Sequence, residues 1–97
     1  MRISVFGLGY VGAVASACLA ESGFDVIAID MDPIKVKCIG EGRSPIIEPD
    51  LPEMIKRNAE NGKLKATLDV REAVMNSDIS LICVGTPSNE DGSLKLD

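Results

Sequence analysis

The segment Gly7-Leu8-Gly9-Tyr10-Val11-Gly12 constrains what this chain can fold into more than any other. Its meaning comes from its placement. The apolar, β-branched run Ile3-Ser4-Val5-Phe6 precedes it and reads as a strand buried on both faces. Small apolar residues follow, and the pattern predicts a helix from Val11 to Ser22 with Gly23 as its stop. In such a strand-to-helix turn Gly7 permits the tight reversal, Gly9 lets the backbone approach a pyrophosphate, and Gly12 lets the helix lie close to the strand. The helix N-terminus then offers free N–H groups and a partial positive charge to phosphate. The same spacing also serves a merely tight turn, so the choice depends on what lies downstream.

Asp25 to Asp30 reads as a second buried strand, which completes a βαβ unit with a right-handed crossover. Asp30 ends that strand eighteen positions beyond Gly12, close to the spacing of about 20 at which an acid accepts hydrogen bonds from an adenosine ribose. With strand, turn, helix and acid in order, dinucleotide binding is the expected role. A 2′-phosphate would face Asp30 and Asp32 with no arginine adjacent, so like-charge repulsion favours NAD over NADP. Lys35, about one helical turn past Asp32, either reaches the same ribose or stands in solvent.

Asp32-Pro33 has the chemistry of a helix start, and this helix is expected to run to Ile39 and stop at Gly40. Residues 42–49 carry Pro45 and Pro49 and form a loop of unusually apolar content. Helical spacing returns from Leu51 to Asn61, with Leu51, Met54, Ile55 and Ala59 inward and Gly62 as terminator. Leu64 to Thr67 is a weak strand, and Asp69 with Glu72 three residues on marks a short helix to Asn76. Ile79 to Val84 is the strongest strand of all. Gly85-Thr86-Pro87 follows it at the sheet edge where ligands bind in open α/β folds, so the Thr86 hydroxyl either meets a cofactor or belongs to an ordinary turn. Residues 88–97 are polar, without a convincing element.

The expected fold class is therefore α/β, a Rossmann-like doubly wound parallel sheet of about four strands in the order 3-2-1-4. Such a sheet is incomplete. Its last strand is apolar enough to require cover on both faces and a neighbour on its outer edge. The 97 residues are thus expected to be the N-terminal part of an NAD-binding domain, with substrate domains absent.

Several functions are disfavoured. A net charge of −5, with ten Lys and Arg dispersed among fifteen acids, argues against nucleic acid. No apolar run approaches the roughly 18 residues needed to span a bilayer, and the start is too short for a signal peptide, so a cytoplasmic protein is expected. Cys18, Cys38 and Cys83 are odd in number and widely spaced, and there is no histidine. Neither disulfides nor a metal site is expected, and each thiol is read as a small buried hydrophobe without a catalytic role.

Four segments together resemble a known family. Phe6-Gly7-Leu8-Gly9-Tyr10-Val11-Gly12, the pair Asp30 and Lys35, Ser44-Pro45-Ile46-Ile47-Glu48-Pro49 and Cys83-Val84-Gly85-Thr86-Pro87 look like the N-terminal domain of the UDP-glucose/GDP-mannose dehydrogenases, over the whole chain. Within the family the segments are most similar to members that oxidise GDP-mannose, with those that oxidise UDP-glucose second. The resemblance implies that Tyr10 and Val11 present backbone groups to the NAD pyrophosphate, that Asp30 and Lys35 bind the ribose, and that Thr86 contacts the cofactor. It also implies two successive NAD-dependent oxidations of a sugar C6 alcohol to a carboxylate, through a cysteine thiohemiacetal and thioester, in the supply of polysaccharide precursors. The family places the nucleophilic cysteine and its partners beyond position 97, so no catalytic residue is assigned and this chain alone is expected to be inactive. A homo-oligomeric parent enzyme, and a nucleotide sugar bound only by that parent, are implied in the same way.

Two positions depart from the family pattern: Asp50 follows Pro49 where glycine is usual, and Leu68 stands where a polar residue is usual. Two other readings stay open. A dehydrogenase of hydroxy acids shares the front half, although the proline loop and the Val84-Gly85-Thr86-Pro87 segment count against it. A free-standing NAD-sensing module would need a self-sufficient fold, which the uncovered last strand opposes.

Overall fold

The computed structural model describes residues 1–46 and 48–83. Each apolar run becomes a strand: β1 (Arg2–Phe6), β2 (Asp25–Ile29), β3 (Leu64–Thr67) and β4 (Ile79–Ile82). All pair in parallel, in the order β3-β2-β1-β4. The helices are α1 (Tyr10–Glu21), α2 (Pro33–Gly40), α3 (Leu51–Glu60) and α4 (Val70–Met75). The expected topology is the observed one. Boundaries move by a residue or two, and Val84, expected to end the last strand, lies outside the described residues.

Side chains alternate across the sheet, so the register assigns its faces. Ile3 is level with Val26 and Val5 with Ala28, and these pair onward with Leu64 and Ala66. That face carries the core. Ile3, Val5, Val26, Ala28 and Leu64 pack with Ala13, Ala17 and Ala20 of α1, Ile39 of α2, and Leu51 and Ile55 of α3. The buried residues of α1 are Gly12, Ala13, Ser16, Ala17 and Ala20, all small, so the helix backbone comes close to the sheet. Ile46 packs against the same core from the proline loop.

The opposite face is covered by α4, whose inward residue is Ala73. Beneath it the buried Ser4 hydroxyl accepts from Ser77 at 3.0 Å and bonds Ser80 at 2.7 Å, linking β1 to the start of β4. Among the described residues nothing pairs with the outer edge of β4. Ile79, Leu81 and Ile82 are 45%, 37% and 67% exposed.

Two expectations need correction. The thiols are not buried: Cys18 is exposed, and Cys38 and Cys83 are half-buried. Cys18 sits on the outward side of α1, because the helix turns Gly12, Ala13, Ser16, Ala17 and Ala20 to the interior. In α3 Ala59 is only half-buried, and Asn58 occupies the buried position beside it. Its amide is satisfied there by Glu21 at 2.9 Å and the Met54 carbonyl at 2.8 Å, which removes the desolvation cost that makes a buried polar residue hard to foresee.

Candidate functional site

β1 delivers the chain into the glycine turn at the carboxyl edge of the sheet. Gly7 has φ of 99°, a conformation that a side chain disfavours, and its N–H donates to the Ile29 carbonyl at 2.7 Å. Leu8 then buries its side chain completely, so the turn is anchored in the core. Its N–H donates to Asp30 Oδ2 at 2.7 Å, and Asp32 N–H donates to Asp30 Oδ1 at 2.8 Å. One carboxylate therefore holds both the glycine turn and the start of the next loop.

Gly12 and Gly9 are glycine for different reasons. A Cβ on Gly12 would stand 1.6 Å from the Gly7 carbonyl oxygen, so helix and strand touch there. A Cβ on Gly9 would meet nothing among the described residues within 4 Å. Protein packing therefore explains Gly12 and leaves Gly9 facing open space.

Gly9 is the N-cap of α1, with no side-chain cap and no acidic residue in the first turn. The first N–H groups of a helix have no partner within it, so among the described residues the start at Tyr10, Val11 and Gly12 is a bare donor cluster at the positive end of the dipole. The Tyr10 and Val11 side chains are exposed around it. Anions are the chemistry this terminus accepts.

Asp30 completes the electrostatics. Burial pushes its carboxyl up, but the Leu8 and Asp32 N–H groups and the Lys35 charge outweigh that and hold it below the ordinary value. It is therefore ionised at neutral pH and acts as an acceptor. Lys35 is half-buried one turn into α2 and bears on Asp30 through its charge. Asp32 caps α2 as expected, accepting from Ile34 N–H at 2.9 Å. Gly7, Gly9, Tyr10, Val11, Gly12, Asp30 and Lys35 thus converge on one edge of the sheet, whereas Thr86 lies outside the described residues.

A cavity of ≈ 320 Å³ opens beside Asp30, walled by Phe6, Ile29, Met31, Leu68 and Val70. Sequence reasoning assigned no role to Met31, Leu68 or Val70. The available signal was Leu68, an apolar departure at the end of a strand that points to this edge. Met31 is 95% exposed and Leu68 51% exposed, so the pocket offers a flat apolar wall next to an ionised acceptor. A wider hollow of ≈ 580 Å³, lined by Arg43, Ser44, Ile46 and Pro49 against Glu53 and Lys56 of α3, shares no residue with this site. Among the described residues no group of three metal-ligating side chains occurs, and no helix is long and apolar enough to cross a membrane.

Comparison with known proteins agrees with this geometry. The family model described as the UDP-glucose/GDP-mannose dehydrogenase family, NAD binding domain, matches residues 1–97. A GDP-mannose 6-dehydrogenase of Pseudomonas savastanoi pv. phaseolicola is 50% identical over 97 residues, covering 100% of this chain and 22% of that protein. A UDP-glucose 6-dehydrogenase of Rhizobium meliloti is 41% identical, covering 99% of this chain and 22% of that protein. The crystal structure of a ternary complex of GDP-mannose dehydrogenase from Pseudomonas aeruginosa superposes with a TM-score of 0.93 at 49% identity, over 99% of this chain and 22% of that one. The chain spans about a fifth of the length of these relatives.

Proposed function

This chain belongs to the UDP-glucose/GDP-mannose dehydrogenase family as its NAD-binding domain, and on that premise we propose that it is the cofactor-holding front of a GDP-mannose 6-dehydrogenase. In the parent enzyme the sugar C6 alcohol would be oxidised twice, NAD accepting a hydride each time and water supplying the second carboxylate oxygen. The observation that carries the reading is the pairing of an uncapped helix N-terminus with an ionised acceptor held against it by the Leu8 N–H.

The residues fit the cofactor in separable ways. Tyr10, Val11 and Gly12 would donate backbone N–H groups to the pyrophosphate, and Gly9 would let it approach because no Cβ occupies that space. Asp30 would accept from the ribose hydroxyls, with Lys35 beside it. The apolar wall of Met31, Leu68 and Val70 suits a flat adenine ring. Thr86 is proposed as a further contact from the family motif alone.

Residues 1–97 would form the first part of the NAD-binding domain. The rest of the sheet, the catalytic cysteine and the nucleotide-sugar site would come from the four-fifths of the relatives' length that this chain does not span. The apolar outer edge of β4, which no other strand among the described residues pairs with, supports that division. A cytoplasmic, homo-oligomeric parent enzyme is proposed with it. The UDP-glucose reading stands second because identity falls from 50% to 41% between the two groups of relatives.

The test is NADH formation by the parent enzyme with each nucleotide sugar. Turnover of GDP-mannose with two NADH per sugar supports the proposal, while turnover of UDP-glucose alone moves the chain to the second reading.

A further inference from the structure

Asp30 has one hydrogen bond on each carboxylate oxygen before any ligand arrives, Leu8 on Oδ2 and Asp32 on Oδ1. A carboxylate offers roughly four lone-pair sites, so about one on each oxygen stays free for a ligand diol. The bond to Leu8 therefore does not compete with ribose binding. It serves a different purpose. Leu8 is the buried anchor of the turn, Gly7 N–H is tied to Ile29, and Leu8 N–H is tied to the next residue of the same strand end. Two successive amides of the turn are thus fastened to the carboxyl end of β2, the second through a side chain alone.

Resting on the proposed cofactor site, we infer that Asp30 is a positioning residue for the pyrophosphate turn, holding Leu8 and so the N-terminus of α1 in place whether or not a ribose hydroxyl contacts it. Ribose and pyrophosphate recognition then share one side chain. Adenine nucleotides with a free 2′,3′-diol use Asp30 twice, and those without the diol still depend on it.

The sign of the effect separates this from ribose recognition. Replacing Asp30 by Ala removes a negative charge near the phosphates, and simple repulsion predicts tighter binding of a ligand that has no diol. Positioning predicts weaker binding. The probes are ADP and 2′,3′-dideoxy-ADP, titrated calorimetrically into the parent enzyme, unaltered and with Asp30→Ala or Asp30→Asn. The expected result is a loss of about tenfold for dideoxy-ADP in Asp30→Ala, on the order of one hydrogen bond to a charged group. Asp30→Asn, which keeps an acceptor oxygen for Leu8, should restore dideoxy-ADP affinity but not the preference for ADP. Equal or tighter dideoxy-ADP binding to Asp30→Ala overturns the inference. A ligand-free readout covers a variant that does not fold. In the unaltered parent enzyme the Leu8 amide resonance should move as Asp30 protonates, and a Leu8 amide indifferent to that step also overturns it. Failure of ADP to bind the unaltered parent enzyme would defeat the cofactor-site reading, while the Leu8 resonance would still decide the role in the turn.

Discussion

The backbone N–H of Leu8 donates to the Asp30 carboxylate across 2.7 Å, although the two residues lie 22 positions apart in the chain. It joins the glycine turn after β1 to the acid that ends β2. The two halves of a sequence fingerprint are therefore one physical object, and substitutions on either side of that bond should behave differently.

Gly9 and Gly12 provide the sharpest contrast. Gly12→Ala forces a Cβ to 1.6 Å from the Gly7 carbonyl oxygen. It should cost about 3 kcal/mol or more of stability, or abolish folding. Gly9→Ala meets nothing among the described residues within 4 Å. Its melting temperature should stay within a few degrees while NAD affinity falls about tenfold or more. Thermal denaturation beside NAD titration reads both, and a Gly9→Ala chain that binds NAD normally removes the close-approach argument.

Asp69 lies between Leu68 and Val70, two residues of the apolar wall beside Asp30. Its side chain accepts from Glu72 N–H at 3.1 Å and starts α4. Asp69→Ala should destabilise the chain by about 1 kcal/mol in urea denaturation.

Asn58 joins α3 to α1 through Glu21 and is 2% exposed. Asn58→Ala should cost on the order of 1–3 kcal/mol, because it removes two buried hydrogen bonds. Arg57 holds the same Glu21 with two bonds, at 3.1 and 2.6 Å, but in solvent. Denaturation of Arg57→Ala should show the smaller loss, since exposed ion pairs contribute little. The reverse order would mean that the ion pair, not the amide, pins the helices.

Acid should release the site from one side only. The Asp30 carboxyl is held below the ordinary aspartate value, so its contribution is fully present above about pH 4. It is lost as pH falls further, through the depressed folded value. The chain has no histidine, and NAD affinity should therefore be flat from about pH 5 to 8. Asp30→Asn should remove most of the fall on the acid side. A loss of binding already at pH 6 would point to a different titrating group.

Much of the fold was legible because periodicity and punctuation agreed. The strand-glycine-helix sequence from Ile3 to Ser22 and the caps at Asp32 and Asp69 all fell where their local chemistry placed them. What stayed hidden depends on contacts between distant segments. The burial of Asn58 needs Glu21, 37 positions away, to satisfy its amide. The exposure of Cys18 follows from which side of α1 meets the sheet, and a helix apolar all round gives no such side away. At the site, the spacing of Gly12 and Asp30 announced a nucleotide. The Met31, Leu68 and Val70 wall did not, because apolar residues at strand ends carry no signature until the sheet order brings β2 and β3 together.

In the proposed site the glycine turn and Asp30 together select NAD. Calorimetric titration of the folded chain with NAD and NADP tests it most directly. Asp30 with Asp32 close behind should repel a 2′-phosphate, so NAD is expected to bind at least about tenfold more tightly than NADP. Equal affinity for the two, or none for either in a folded sample, would contradict the account.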